Sequence, residues 1–177
     1  MLTTRRYVTD IAVTGLALAA TAGMGLLRST VTSAADDHAS AAARNAEIVR
    51  RYFEEVWNQG RPDELLDPAY VNHTPSTPNP PPGPAGLKPI VATIRLGFPD
   101  LHFRIDRIED VVAPPTHAVA RTLMTGTHRG DLLGLKPTGR QIAVNQINIE
   151  RIAGGRIIEH WRVTDELTLM RQLGIVG

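Results

Sequence analysis

The carboxylate best placed for chemistry in this chain is Asp165. The segment Arg156–Val163 reads as a strand, and alternation along it puts Glu159, Trp161, Val163 and Asp165 on one face. His160 and Arg162 share the other face. A tryptophan has a large apolar area, so the Trp161 face is expected to be the covered one. That predicts Asp165 at the mouth of a covered space, where a carboxylate can exchange protons with a ligand. Asp165 also directly precedes the helical segment Glu166–Leu173, so it can serve as its N-cap. The two roles are compatible.

The preceding strand, Arg140–Ile152, carries Ile142, Val144, Gln146 and Asn148 on one face. Amides are uncommon in mid-strand. This face is therefore either wet, or it lines a pocket in which Gln146 and Asn148 bind a ligand. His73 closes an earlier extended segment and is a candidate for proton transfer near neutral pH. It can equally hold the loop that follows. His128, within Gly126-Thr127-His128-Arg129-Gly130, either lines a pocket rim or shapes a turn. The six histidines show no ligand spacing and cysteine is absent, so no metal site is expected. There is no phosphate-binding loop, dinucleotide fingerprint or serine nucleophile elbow.

The elements that must position these residues follow from periodicity. Arg44–Asn58 repeats apolar residues at helical spacing and ends at Gly60. A second, short helix is expected from Arg61 through Leu66, with Pro62 in its first turn. Tyr70-Val71 begins an extended stretch, and five prolines between Pro78 and Pro84 exclude helix and central strand there. A third helix is expected from Ala85 to Gly97, with Leu87, Ile90, Val91 and Ile94 as its buried stripe. Four antiparallel strands follow: Leu101–Val112, His117–His128, Arg140–Ile152 and Arg156–Val163. The first should bulge near Asp106-Arg107, where its alternation slips by one. Gly154-Gly155 should make a tight hairpin. The expected class is α+β, with three N-terminal helices over a curved antiparallel sheet and a short C-terminal helix.

The 177 residues suit one domain with an appendage. Nineteen basic and eighteen acidic residues leave a net charge of +1, which offers no footprint for nucleic acid. Arg5-Arg6, an apolar run from Ile11 to Leu27 and small residues to Ala35 have the order of an export signal over residues 1–35. Thr4-Arg5-Arg6-Tyr7-Val8 partly fits a twin-arginine signal. The apolar run is short for a stable membrane span, although an uncleaved signal would anchor the chain. Residues 36–43 read as a linker and 44–177 as the domain. The expected localisation is periplasmic or extracellular.

Asn72-His73-Thr74, Phe98-Pro99-Asp100-Leu101, Gly126-Thr127-His128-Arg129-Gly130, Pro137-Thr138-Gly139-Arg140 and Glu159-His160-Trp161 with Asp165 and Arg171-Gln172-Leu173-Gly174 occur in this order. Together they resemble the SnoaL-like polyketide (ester) cyclases of the NTF2-like superfamily. The resemblance implies an NTF2-like cone, often a homodimer packed through its sheets, and intramolecular aldol chemistry without cofactor or metal. It implies Asp165 as general acid/base, with Gln146 and Asn148 as counterparts of the strand residues that hold the enolate of a small hydrophobic carbonyl or ester ligand; the residue reading adds His73 as a second catalytic candidate and Trp161 and His128 as ligand-lining ones. Characterised members carry a strand glutamine and histidine, and this chain has no histidine between Arg140 and Ile152. An exported binding protein, or an isomerase or hydrolase of the same fold, are the alternatives.

Overall fold

A computed structural model describes the backbone of residues 20–61, 65–109 and 116–177. The chain divides into the units Met1–Asp36 and Asp37–Gly177. The first nineteen residues, with most of the expected export signal, lie outside the described ones. Among the described residues no helix is long and apolar enough to cross a membrane.

Helix α1 spans Ala20–Arg51. Residues 36–43, read from composition as a linker, are helical. The reason is their alanine content, since alanine has the highest helix propensity. A π-helical turn, Tyr52–Asn58, continues α1, and Gln59 N–H donates to Glu54 O five residues back at 3.0 Å. It buries Tyr52, Phe53, Val56 and Trp57. Gly60, at φ +73°, ends the segment.

The expected second helix is replaced by extended chain. Residues 62–64 lie outside the described ones, and Leu66 opens strand β1, Leu66–Asn72. Leu66 pairs with Ile157, and the Ile157 N–H donates to Leu65 O at 2.9 Å, so this leucine pair belongs to the sheet. Helix α2, Pro84–Gly97, begins on a proline and buries Leu87, Ile90 and Val91, as its stripe predicts. Strands β2 (His102–Glu109), β3 (His117–Thr127), β4 (Gln141–Ala153) and β5 (Arg156–Thr164) follow, then helix α3, Glu166–Leu173.

The five strands form one sheet in the order β1-β5-β4-β3-β2. β2 to β5 are antiparallel as expected, but β1 pairs with β5 in parallel, so the sheet is mixed. A parallel pair needs a long crossover, and everything from α2 to β4 lies between these two strands. The predicted bulge in β2 falls between Ile105 and Arg107. Gly154 and Gly155, both at positive φ, make the hairpin. Only α1 with its π turn and α2 precede the antiparallel strands as described helices; the third helix is C-terminal.

One sheet face packs against the helices. Along β4 the even positions from Ile142 to Ile152 are buried and the odd ones from Gln141 to Ile149 are exposed. The core joins Val49, Tyr52, Phe53, Val56 and Trp57 to Leu87 and Val91 of α2 and to Ala120, Val144 and Ile157 of the sheet.

Candidate functional site

The covered face of β5 holds His160, Arg162 and Thr164, the reverse of the alternation reading. The cause is a β-bulge. Ile152 pairs with Ile157 beside the hairpin, but Arg151 pairs with Glu159, which leaves Ile158 as an extra residue. One inserted residue exchanges the faces of everything beyond it. Beyond the bulge Glu150 faces His160, Asn148 faces Arg162 and Gln146 faces Thr164. Directly opposed residues share a face, so the buried face of β4 brings Arg162 and Thr164 inside. Trp161 is carried to the open face. Its area is shielded there by His73, stacked on it at 4.5 Å and 5°.

A cavity of about 660 Å³ lies within the unit Asp37–Gly177. Trp57, Phe98, Phe103, Met124, Leu169 and Leu173 supply apolar walls. Thr74, Ser76, Gln146, Arg162 and Thr164 supply polar groups, and Glu166 of α3 also lines it. Gln146 is buried, and among the described residues its amide nitrogen has only Met124 Sδ as a hydrogen-bond partner, at 3.6 Å. The Thr164 hydroxyl is buried without a hydrogen-bond partner among the described residues. These donors stand on paired positions of two central strands, a rigid support. The Arg162 backbone N–H donates to Thr74 Oγ1 at 2.8 Å, which ties the loop after β1 to the cavity wall.

Of the residues expected around a ligand, Gln146 lines this cavity and the others do not. Asp165 is exposed and caps α3, accepting the Thr168 N–H at 3.0 Å. It borders a second depression lined by Arg121, Asn145, Ile147 and Val163, to which Gln146 and Thr164 also contribute. The side chain and backbone N–H of Thr168 hold its carboxyl below the usual range. His73 Nε2 lies 2.9 Å from Glu159 Oε2, and Glu159 also pairs with Arg151. His73 is thus part of an outer clasp with Trp161. Asn148 is buried but spent on Thr122, donating to its Oγ1 at 3.1 Å. His128 is buried against Phe98. Its Nδ1 accepts the Thr138 N–H at 3.2 Å, which puts the proton of the neutral ring on Nε2. His128 N–H also donates to Arg140 O, and Gly139 N–H to His128 O, so this histidine shapes the loop before β4.

Sequence reading missed Arg162, Thr164 and Glu166. It also missed a buried pair, Glu150 Oε1 and His160 Nδ1, 2.9 Å apart. Burial pushes the Glu150 carboxyl up, and His160 pulls it partway back. The Tyr52 ring lies 6.1 Å from His160, and burial raises the phenols of Tyr52 and Tyr70. The signal that could have found the cavity residues is the amide pair of β4, because whatever lies opposite Gln146 and Asn148 must share their face. Among the described residues no three His, Asp or Glu side chains cluster as a metal site would require.

Comparison with known proteins agrees with this architecture. Aklanonic acid methyl ester cyclase DnrD of Streptomyces peucetius is 30% identical over 136 residues, covering 72% of this chain and 89% of that protein. Nogalonic acid methyl ester cyclase of Streptomyces nogalater is 29% identical over 127 residues, covering 67% and 90%. The structure of TsrD from Streptomyces laurentii superposes with a TM-score of 0.66 at 29% identity, covering 76% of this chain and 97% of that one. Residues 47–173 match the model of the SnoaL-like polyketide cyclases, and the chain belongs to that family.

Proposed function

We propose that this protein closes a ring in a small hydrophobic polyketide-type carbonyl compound by cofactor-independent acid/base chemistry. The observation that carries the reading is the underbonded pair of donors, the Gln146 amide and the Thr164 hydroxyl, set into the wall of an apolar cavity. In an aldol closure a base removes the proton beside one carbonyl. The enolate carbon then attacks a second carbonyl of the same molecule. A C–C bond forms, the acceptor oxygen becomes an alkoxide, and that oxygen takes a proton. The product is an isomer of the substrate.

Gln146 and Thr164 would stabilise the developing oxyanion inside the cavity. The apolar walls would fold the chain so that its two reacting carbons meet. Glu166, the carboxylate among the lining residues, is the candidate base. The family relationship supports this reading, because two relatives are named as methyl ester cyclases.

The test is incubation of the purified protein with a polyketide methyl ester of the kind those relatives are named for. The expected product has unchanged mass, a new chromatographic position and an NMR spectrum of the closed ring. Gln146→Leu should lower kcat by about 100-fold, the scale of losing one oxyanion donor. One observation favours a second reading, carriage of a hydrophobic ligand: Glu166 is solvent-exposed rather than held in a dry site. Saturable binding with only unchanged compound recovered would select carriage.

The protein carries two further features beyond the cavity. Its exposed sheet face suits a second copy of the chain, giving a sheet-packed homodimer. Residues 1–35 suit an export signal. Fusion of that segment to a reporter enzyme should carry the reporter out of the cytoplasm, and replacing Arg5 and Arg6 by Lys should block a twin-arginine route.

A further inference from the structure

Arg162 is the feature of the cavity that ring closure of a neutral ester does not use. It stands on the covered face of β5, opposite Asn148, and lines the cavity beside Thr74 and Ser76. Its Nη2 is 3.4 Å from Ser76 Oγ, a long contact with a neutral group. Among the described residues Arg162 forms no ion pair. Arg51, Arg104 and Arg151, by contrast, each have a carboxylate partner. Glu166 lines the same cavity but is exposed and does not pair with Arg162.

A guanidinium is always charged and presents a planar fork that matches a carboxylate at two points. Next to apolar walls, with water partly displaced, its attraction for an anion is stronger than at an open surface. Holding an arginine there without a protein anion is unfavourable unless a ligand supplies one. Tyr52 and Tyr70 cannot serve, because burial keeps both phenols protonated.

We propose that Arg162 anchors a carboxylate of the ligand, so that the cavity selects a hydrophobic carboxylic acid over its neutral ester. This rests on the reading of the cavity as the substrate site. It separates this chain from the relatives named for methyl esters.

The test is calorimetric titration of the full chain with anthracene-2-carboxylate and with methyl anthracene-2-carboxylate, a pair that differs in the charge. The acid is expected to bind at least about tenfold more tightly, the lower end of what a charge-assisted bond contributes. Arg162→Gln should remove that preference, bringing the acid to the affinity of the ester, and Arg162→Lys should keep part of it. Far-ultraviolet circular dichroism and the Tm check that the variants fold. If Arg162→Gln does not fold, the wild-type protein decides: added NaCl should weaken the acid and not the ester. Equal affinities, a preference for the ester, a preference that survives Arg162→Gln, or binding of neither probe would overturn the proposal. The outcome is separable from ring closure. A protein that holds the acid through Arg162 but closes no ring supports this inference and refutes the cyclase reading. Closure of a methyl ester unaffected by Arg162→Gln, with no acid preference, does the opposite.

Discussion

Asp165 and Glu150 are both carboxylates on neighbouring parts of the fold, and their surroundings drive them in opposite directions. Asp165 is exposed and held ionised by Thr168. A depressed folded pKa contributes stability above the unfolded pKa, which is lost as pH falls through the folded value. Asp165→Ala should therefore lower the Tm at neutral pH, with the difference closing in acid. Asp165→Asn should preserve most of the Tm, because asparagine also caps. It should also leave ring closure intact, because the side chain lies outside the cavity; loss of turnover in that variant, measured by the isomerisation assay, would restore Asp165 as the acid/base group. Glu150 is buried with a raised pKa, so its contribution has the opposite sign. Its stability is fully present below the unfolded pKa and is lost as pH rises through the folded one. Glu150→Gln keeps the contact to His160 without the buried charge. Its Tm relative to wild type should rise as pH climbs above the usual carboxyl range, and a flat difference across thermal melts would show that His160 fully compensates the charge.

At the level of elements, the cavity depends on how α2, α3 and the loop before β4 meet the sheet. Arg129 and Gly130 N–H groups both donate to Gly97 O, at 2.9 and 3.1 Å, fastening that loop to the end of α2. A Cβ at Gly130 would run into the Leu96 carbonyl oxygen. Backbone cannot yield as a side-chain tip does, so Gly130→Ala should lower the Tm and shift the Leu132 wall of the cavity, visible as weakened ligand binding. Helix α3 is fixed by Gln172, which bonds both the N–H and the carbonyl of Ala143. Leu173 projects from it into both core and cavity wall. Leu173→Ala should destabilise by about 2 kcal/mol, the low end for a buried leucine, because the site already borders open space. Chemical denaturation measures it.

For the whole molecule, the open sheet face is the feature that calls for a partner. Val163 is 70% exposed and Ile147 48%, with Ile149 and Trp161 beside them on the same face. Apolar side chains grouped on a sheet surface mark an interaction site. Light scattering after gel filtration should give twice the mass of the chain. The double variant Ile147→Asp, Val163→Asp should give the monomer mass with the far-ultraviolet spectrum retained. A wild-type monomer at micromolar concentration would exclude the sheet-packed dimer.

Much of this organisation was legible in the order of residues. Alternation predicted β2 to β5 to within a few residues, because one face of each strand is buried. The slip at Asp106-Arg107 revealed a bulge, since it interrupted a visible alternation. Proline and helical spacing predicted α2, and the cap with its following apolar residues predicted α3. Leu65-Leu66 misled because two leucines suit a helix as well as a strand, and only pairing with Ile157 makes them sheet. The decisive loss was at Ile158. The inserted residue is itself apolar and lies between Ile157 on one side and Trp161 and Val163 on the other, so no break in pattern marks it. Local residue types therefore sufficed for the strand that carries Trp161 and runs into Asp165. Which side of it faces the cavity was settled by its register against β4, a contact between separate segments that one strand's own sequence does not encode.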